Sequence, residues 1–151
     1  MLGISEAASL ALHAAALLAA DGAGRIAARE LAQTMGASEA HLAKVLNRLS
    51  RAGIVRLSRG PGGGAELARS AAEISLLEVY QAVEGPLRNR TCLLAKPICD
   101  GQCCLLGGLL AATNRQVGEH LAKTRLSELC AGGTPRSSSA ANTTRAGRER
   151  S

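Results

Sequence analysis

Two apolar stripes at helical spacing, separated by one glycine and followed at once by a β-branched run and a glycine-rich turn, constrain this chain more than any other feature. Ala28, Leu31, Ala32 and Met35 share one face of a short helix over residues 28–35, which Gly36 stops, glycine being the usual residue past a helix C-terminus. Ser38 offers an N-cap, and Leu42, Val45, Leu46 and Leu49 form the buried stripe of a helix reaching about Ala52. Gly53 ends it. Residues 54–59 predict a strand, residues 60–64 (Gly-Pro-Gly-Gly-Gly) a turn, and residues 65–68 a return strand. Helix, glycine turn, helix, hairpin is the order of a winged helix-turn-helix.

The flanking segments are helical by the same reasoning. Leu10, Ala14, Leu17 and Leu18 recur at helical spacing over residues 4–20, with Ile4 and Ala7 continuing the stripe. The apolar run from Ala7 to Ala20 mimics a secretory signal, but no Lys or Arg precedes it and Glu6 does, so a helix is the better reading. Ser75-x-x-Glu78 is a capping box heading a fourth helix, closed by Gly85-Pro86. Residues 87–104 lack periodicity and hold four cysteines. Leu106, Leu109, Leu110, Val117 and Leu121 then predict one helix over 105–129, a rod of roughly 36 Å that needs a second copy to cover its seam. The expected fold is mainly α with a small β-hairpin. It divides into a winged helix-turn-helix over 1–85, a cysteine-rich loop over 86–104, a dimerisation helix over 105–130 and a disordered basic tail over 131–151.

Composition narrows the function. With one Tyr, no Phe and no Trp, the chain lacks the stacking surfaces of single-strand nucleic-acid binders. No apolar run is long enough to cross a bilayer, so no membrane association is expected and the setting is read as cytoplasmic. Lys and Arg number 18 against 12 Asp and Glu, a net charge of +6. The tail supplies half of that excess through Arg136, Arg145, Arg148 and Arg150 against Glu149, so charge alone does not decide for nucleic acid. Motif order does more. The helix beginning after Ser38 turns Glu39, Ala40, His41, Ala43, Lys44, Asn47, Arg48 and Arg51 away from its stripe. Lys44 and Asn47 can reach base edges or phosphates of a major groove, and Ser38 at the helix N-terminus can hold a phosphate. Arg59 before the glycine turn, with Gly63 in it, sets a guanidinium on a thin loop shaped for a minor groove. The candidate DNA contacts are therefore Ser38, His41, Lys44, Asn47, Arg51, Arg59 and Gly63. No Ser/His/Asp or Cys/His arrangement points to an enzyme, and the glycine run sits in a hairpin rather than ahead of a helix as a phosphate loop would.

In a reducing compartment, cysteines serve as metal ligands or redox thiols more readily than as disulfides. Cys92, Cys99 and Cys104, with Cys103 adjacent, lack the paired C-x2-C spacing of structural zinc. Iron–sulfur clusters tolerate irregular spacing, so three thiolates with an unusual fourth ligand would suit a sensor. Cys103 and Cys104 cannot easily both bind one cluster, and Cys104 is the better candidate. Glu6, Ser9 and His13 share a face of the first helix, and His13 is a candidate fourth ligand. A metal-free thiol switch and inert small hydrophobes remain open alternatives.

The segment Gly36-Ala-Ser…Leu42…Leu46…Arg48-Leu49…Gly53-Ile-Val, followed by Ser58-Arg-Gly-Pro-Gly-Gly-Gly, resembles the Rrf-type winged-helix regulators. Glu78-Val79…Ala82-Val83-Glu84-Gly85, Cys92-Leu-Leu…Pro97…Cys99-Asp-Gly…Cys104 and the closing Leu126-Ser-Glu-Leu129 continue the match over about residues 1–130. The resemblance implies a homodimeric regulator binding a pseudo-palindromic double-stranded operator. It implies an iron–sulfur cluster, [2Fe–2S] or [4Fe–4S], on Cys92, Cys99 and Cys104, and contacts from Arg59 and from the helix after Ser38. Some members place a histidine ligand after the third cysteine, where this chain has Gly107. Others use a first-helix carboxylate, where it has Ser9, or a histidine one turn on, which His13 matches. Ala43 and Lys44 stand where the cluster-regulating members have Glu and Gln reading positions, so the operator of those members is not carried over. A cluster-free thiol-switch regulator of the same fold, or a cluster-holding adaptor that binds no DNA, are the rival readings.

Overall fold

The computed structural model describes residues 4–20, 23–87 and 108–130, together with positions 92, 94, 96, 98, 104 and 106. Among them run α1 (Glu6–Ala19), α2 (Ala28–Met35), α3 (Glu39–Arg51), β1 (Val55–Ser58), β2 (Gly64–Leu67), α4 (Leu76–Glu84), α5 (Leu109–Lys123) and α6 (Leu126–Cys130). No helix among the described residues is long and apolar enough to cross a membrane.

α1 is the central element, and its alanines explain how a core forms almost without aromatic rings. Ala8, Ala11, Ala14 and Ala15 are fully buried, so α3, α4 and α6 approach its backbone closely. Larger aliphatics fill the remaining space: Leu31, Leu42, Leu46, Leu49, Ile54, Ile74, Val79 and Leu126 are each no more than 1% exposed. Tyr80, the sole aromatic residue, belongs to the same cluster.

The helix ends follow the local sequence. Gly36 takes a left-handed conformation at φ 61° and donates its N–H to the Ala32 and Gln33 carbonyls, turning the chain from α2 into α3. Ser38 caps α3 by accepting the His41 N–H. Ser75 and Glu78 close the expected capping box at α4, each side chain accepting the other's backbone N–H. β1 and β2 pair antiparallel with Val55 opposite Leu67 and Arg56 opposite Glu66. Ile26 adds a one-residue third rung, exchanging both backbone hydrogen bonds with Ala65 at 2.8 and 2.9 Å.

The expected single rod over 105–129 is two helices. α5 has 15 residues, about 22 Å, and ends where Thr124 turns extended at ψ 127°. The chain then crosses the start of α4: Leu76 donates to the Thr124 carbonyl and Leu126 to the Ile74 carbonyl, both at 3.0 Å. Leu126 is thereby buried completely, and α6 packs on α1. Burying Leu126 and pairing these backbone groups outweigh continuing a helix into solvent. The expected disordered tail from residue 131 lies outside the described residues.

Candidate nucleic-acid interface

α2, the Gly36 turn and α3 present one polar surface, and the β1–β2 hairpin stands beside it. Val45, Leu46 and Leu49 anchor α3 to the core, leaving Lys44, Asn47 and Arg51 exposed along its outer face. Lys44 and Arg51 have no hydrogen-bond or ion-pair partner among the described residues. Asn47 donates its side-chain amide to the Ala43 carbonyl one turn back at 2.9 Å, which orients the group on the exposed face.

Two residues of that face differ from the expectation. Arg48 swings sideways, and its guanidinium donates to the Val83 carbonyl at the end of α4, 3.0 Å away. It ties the helix down. His41 is half-buried, with Nδ1 3.7 Å from the exposed Glu6 carboxylate of α1. Across the turn, Arg29 of α2 lies 3.7 Å from Glu39 of α3.

The hairpin tip carries exposed Arg59, also without a partner among the described residues. A Cβ at Gly63 would meet the Ser58 carbonyl oxygen at 2.5 Å and that of Gly60 at 2.8 Å, so only glycine allows the turn to be this tight. Gly64, at φ 154°, lets the strand lie against the Ile26 backbone. Behind the tip, Glu66 accepts from Arg25 at 3.2 Å and from Arg56 at 3.4 Å. The Arg25 hydrogen bond above all, with Arg56 adding to it, holds the Glu66 carboxyl below the ordinary carboxylate range. Glu78 is likewise lowered, first by the Ser75 backbone N–H and then by Arg69, whose guanidinium is 2.9 Å away. Arg25 and Arg56 were not among the residues the sequence singled out. The cross-strand register that assembles them is the missing signal.

Cys92 and Cys104 are free thiols and half-buried; Cys99 and Cys103 lie outside the described residues. Among the described residues, no group of three or more His, Cys, Asp or Glu is placed to hold a metal. His13 is exposed on α1, where its Nδ1 is 2.7 Å from the Ser9 carbonyl oxygen. It also borders an open cleft of about 300 Å³ between α1 and α2, lined by Leu10, Leu17, Thr34 and Met35. The donor set itself suits iron–sulfur chemistry, since soft thiolates are the usual cluster ligands.

Residues 4–132 match the family model Rrf2, described as an iron-dependent transcriptional regulator. The chain belongs to the Rrf2 family. ORF2 of Azotobacter vinelandii, named among the HTH-type transcriptional regulators, is 31% identical over 108 residues, 72% of this chain and 66% of ORF2. The transcriptional regulator IscR of Xenorhabdus nematophila is 29% identical over 70% of this chain and 65% of its own length. The chain thus spans about two-thirds of each of these relatives. Among solved structures, CymR, titled the global cysteine regulator of B. subtilis, superposes with a TM-score of 0.72 at 26% identity, covering 89% of this chain and all of CymR. IscR of T. potens has the same fold, with a TM-score of 0.68 at 22% identity and 94% of each chain covered. The winged-helix architecture is thereby established, and the relatives are transcriptional regulators rather than enzymes.

Proposed function

We propose that this Rrf2-family chain regulates transcription as a homodimer on a pseudo-palindromic duplex. In this reading an iron–sulfur cluster on Cys92, Cys99 and Cys104 sets its affinity. The observation that carries the DNA part is a set of cationic side chains on one outward surface without a partner among the described residues: Lys44 and Arg51 on α3, beside Arg59 at a glycine-tightened hairpin tip. A helix held by a buried stripe fits a major groove, and a guanidinium on a thin loop fits the adjoining minor groove. Asn47 and the Ser38-capped start of α3 supply further donors, with His41 at the edge of the surface. Two such units, related by a dyad, would read half-sites about 34 Å apart or a multiple of it. The exposed face of α5, where Leu109 is 63% exposed, is the expected pairing surface.

The cluster part rests on donor chemistry and on the iron-dependent description of the family. When bound, a cluster would supply a redox- and ligand-sensitive inorganic centre, and the three thiolates would hold it, with His13 the candidate for a fourth position. A second reading is a metal-free thiol switch of the same fold. It is favoured by the two free, half-buried thiols and by the likeness to CymR, for which an oxidized form is known from S. aureus at 25% identity.

Oxygen-free purification with full iron supply tests both. The cluster reading expects absorbance above 300 nm, its loss in Cys92→Ala, Cys99→Ala or Cys104→Ala, and a change in duplex affinity with it. A colourless protein whose duplex affinity responds to oxidant establishes the thiol switch instead. A protein that retains no duplex in either state removes the regulator reading altogether.

A further inference from the structure

Glu66 and its two arginines form a charged row on the hairpin that the reading helix and wing tip leave unused. In the β1–β2 register Arg56 stands directly opposite Glu66, and Val55, Leu57, Ala65 and Leu67 share the other face. Ile26 pairs with Ala65 on the far side of β2, which brings the neighbouring Arg25 to Glu66 from that side. Glu66 therefore sits between two guanidiniums contributed by segments far apart in the chain. Its side chain is 24% exposed, whereas those of Arg25 and Arg56 are 42% and 64% exposed, so the cations form the outer surface of the row.

Each guanidinium spends one nitrogen on the same Glu66 oxygen: Nη2 of Arg25 and Nη1 of Arg56 both meet Oε1. A guanidinium has five N–H donors, so each arginine keeps donors beyond the one spent on Glu66, on a side chain that is 42% or 64% exposed. The pairing with Glu66 also restrains two long side chains that would otherwise lose rotamer freedom on binding. Arg56 lies three residues from Arg59, about 10 Å along the ribbon. With Arg59 in a minor groove about 6 Å wide, cations that far behind it meet the phosphates of the groove wall.

We propose that Arg25 and Arg56, aligned by Glu66, form a phosphate-binding strip that seats the wing on the duplex backbone. The strip rests on the DNA-binding reading and adds two contacts per subunit to it. It carries no sequence information and acts on register and salt sensitivity.

The test measures affinity for a random-sequence duplex from about 50 to 200 mM potassium chloride. The slope of log affinity against log salt should be shallower in the Arg25→Ala/Arg56→Ala variant by about 0.9 for each phosphate contact removed, about two units per subunit. Both side chains are substantially exposed, so the variant should stay folded, its thermal midpoint lowered only slightly by loss of the Glu66 pairing. Glu66→Gln separates a strip from a mere strut: with the arginines still present, the slope should stay at the starting value or steepen. An unchanged slope in the double arginine variant overturns the proposal, as does a Glu66→Gln variant that loses slope as the arginine variant does. If the unaltered protein itself retains no duplex or gives a flat response, the DNA reading fails and the strip fails with it.

Discussion

Replacing Leu126 by Ala tests the course of the chain after α5. If residues 105–129 formed one rod, Leu126 would lie about 32 Å along it, away from the DNA-binding unit. Instead it is 0% exposed in the cluster built around α1, and its N–H donates to Ile74. Truncation removes three carbons, worth about 0.8 kcal/mol each in transfer free energy. The cavity left behind brings the expected loss to about 3–4 kcal/mol. With a urea m-value of about 1.5 kcal/mol/M, the unfolding midpoint should fall by about 2 M. Leu129 on the same short helix is 39% exposed, and Leu129→Ala should cost under about 1 kcal/mol. Both variants are compared at one protein concentration, because association stabilises the folded state by mass action. Equal, small losses at the two positions would refute the return of α6 onto α1 and restore the continuous rod.

Two further outcomes follow from the hairpin and from α4. Gly63→Ala forces a Cβ against the Ser58 and Gly60 carbonyls, so the tip must open. Global stability should change little, while duplex affinity should lose the wing arginine's share, about 1–3 kcal/mol; an affinity equal to that of the unaltered protein would show that the tip shape is irrelevant to binding. Glu78 is held below the ordinary carboxylate range, so its contribution is present above the unfolded value near 4.5 and is lost as pH falls through the folded value. Thermal midpoints should drop below about pH 4.5, and Glu78→Gln should flatten part of that drop. Glu66 is shifted in the same direction and adds in the same sense, and identical acid profiles for the Glu78→Gln variant and the unaltered protein would contradict the assignment.

The elements specified by local chemistry were readable from the sequence. Gly36, Ser38, Gly53 and Ser75-x-x-Glu78 mark helix ends through interactions spanning at most four residues, and the structure places those ends within a residue or two of the expectation. The turn at 60–64 was readable for the same reason. What the sequence obscured was set by distant partners. Nothing in Thr124 or Arg125 breaks helical periodicity; the break comes from pairing with the start of α4 and from the burial of Leu126. One local sign existed: Glu128 accepts the Arg125 N–H, the reciprocal half of a capping box without its Ser or Thr. Helical spacing puts Arg48 on the outer face, and only the position of the Val83 carbonyl turns it aside. The Arg25–Glu66 pair spans 41 residues and was invisible until the register of β2 was known. In the cysteine segment, spacing alone left a cluster, a thiol switch and inert packing in competition.

The same distant partners bear on how the cysteine segment could act on a duplex. The chain between Leu87 and Gly108 leaves from the C-terminal end of α4 and returns at the start of α5, and α5 packs on α4. α4 is in turn joined to the reading helix by Arg48, whose guanidinium holds the Val83 carbonyl in the last turn of α4. A shift of that turn therefore meets α3 through a charged hydrogen bond to a carbonyl the α4 ladder leaves unpaired, and not only through pliable apolar contacts. A change of about 1.4 kcal/mol in the fit of α3 to its groove alters affinity tenfold. One such bond is of the right size to matter, so under the proposed reading a signal from the cysteine segment would need no large rearrangement of the winged domain.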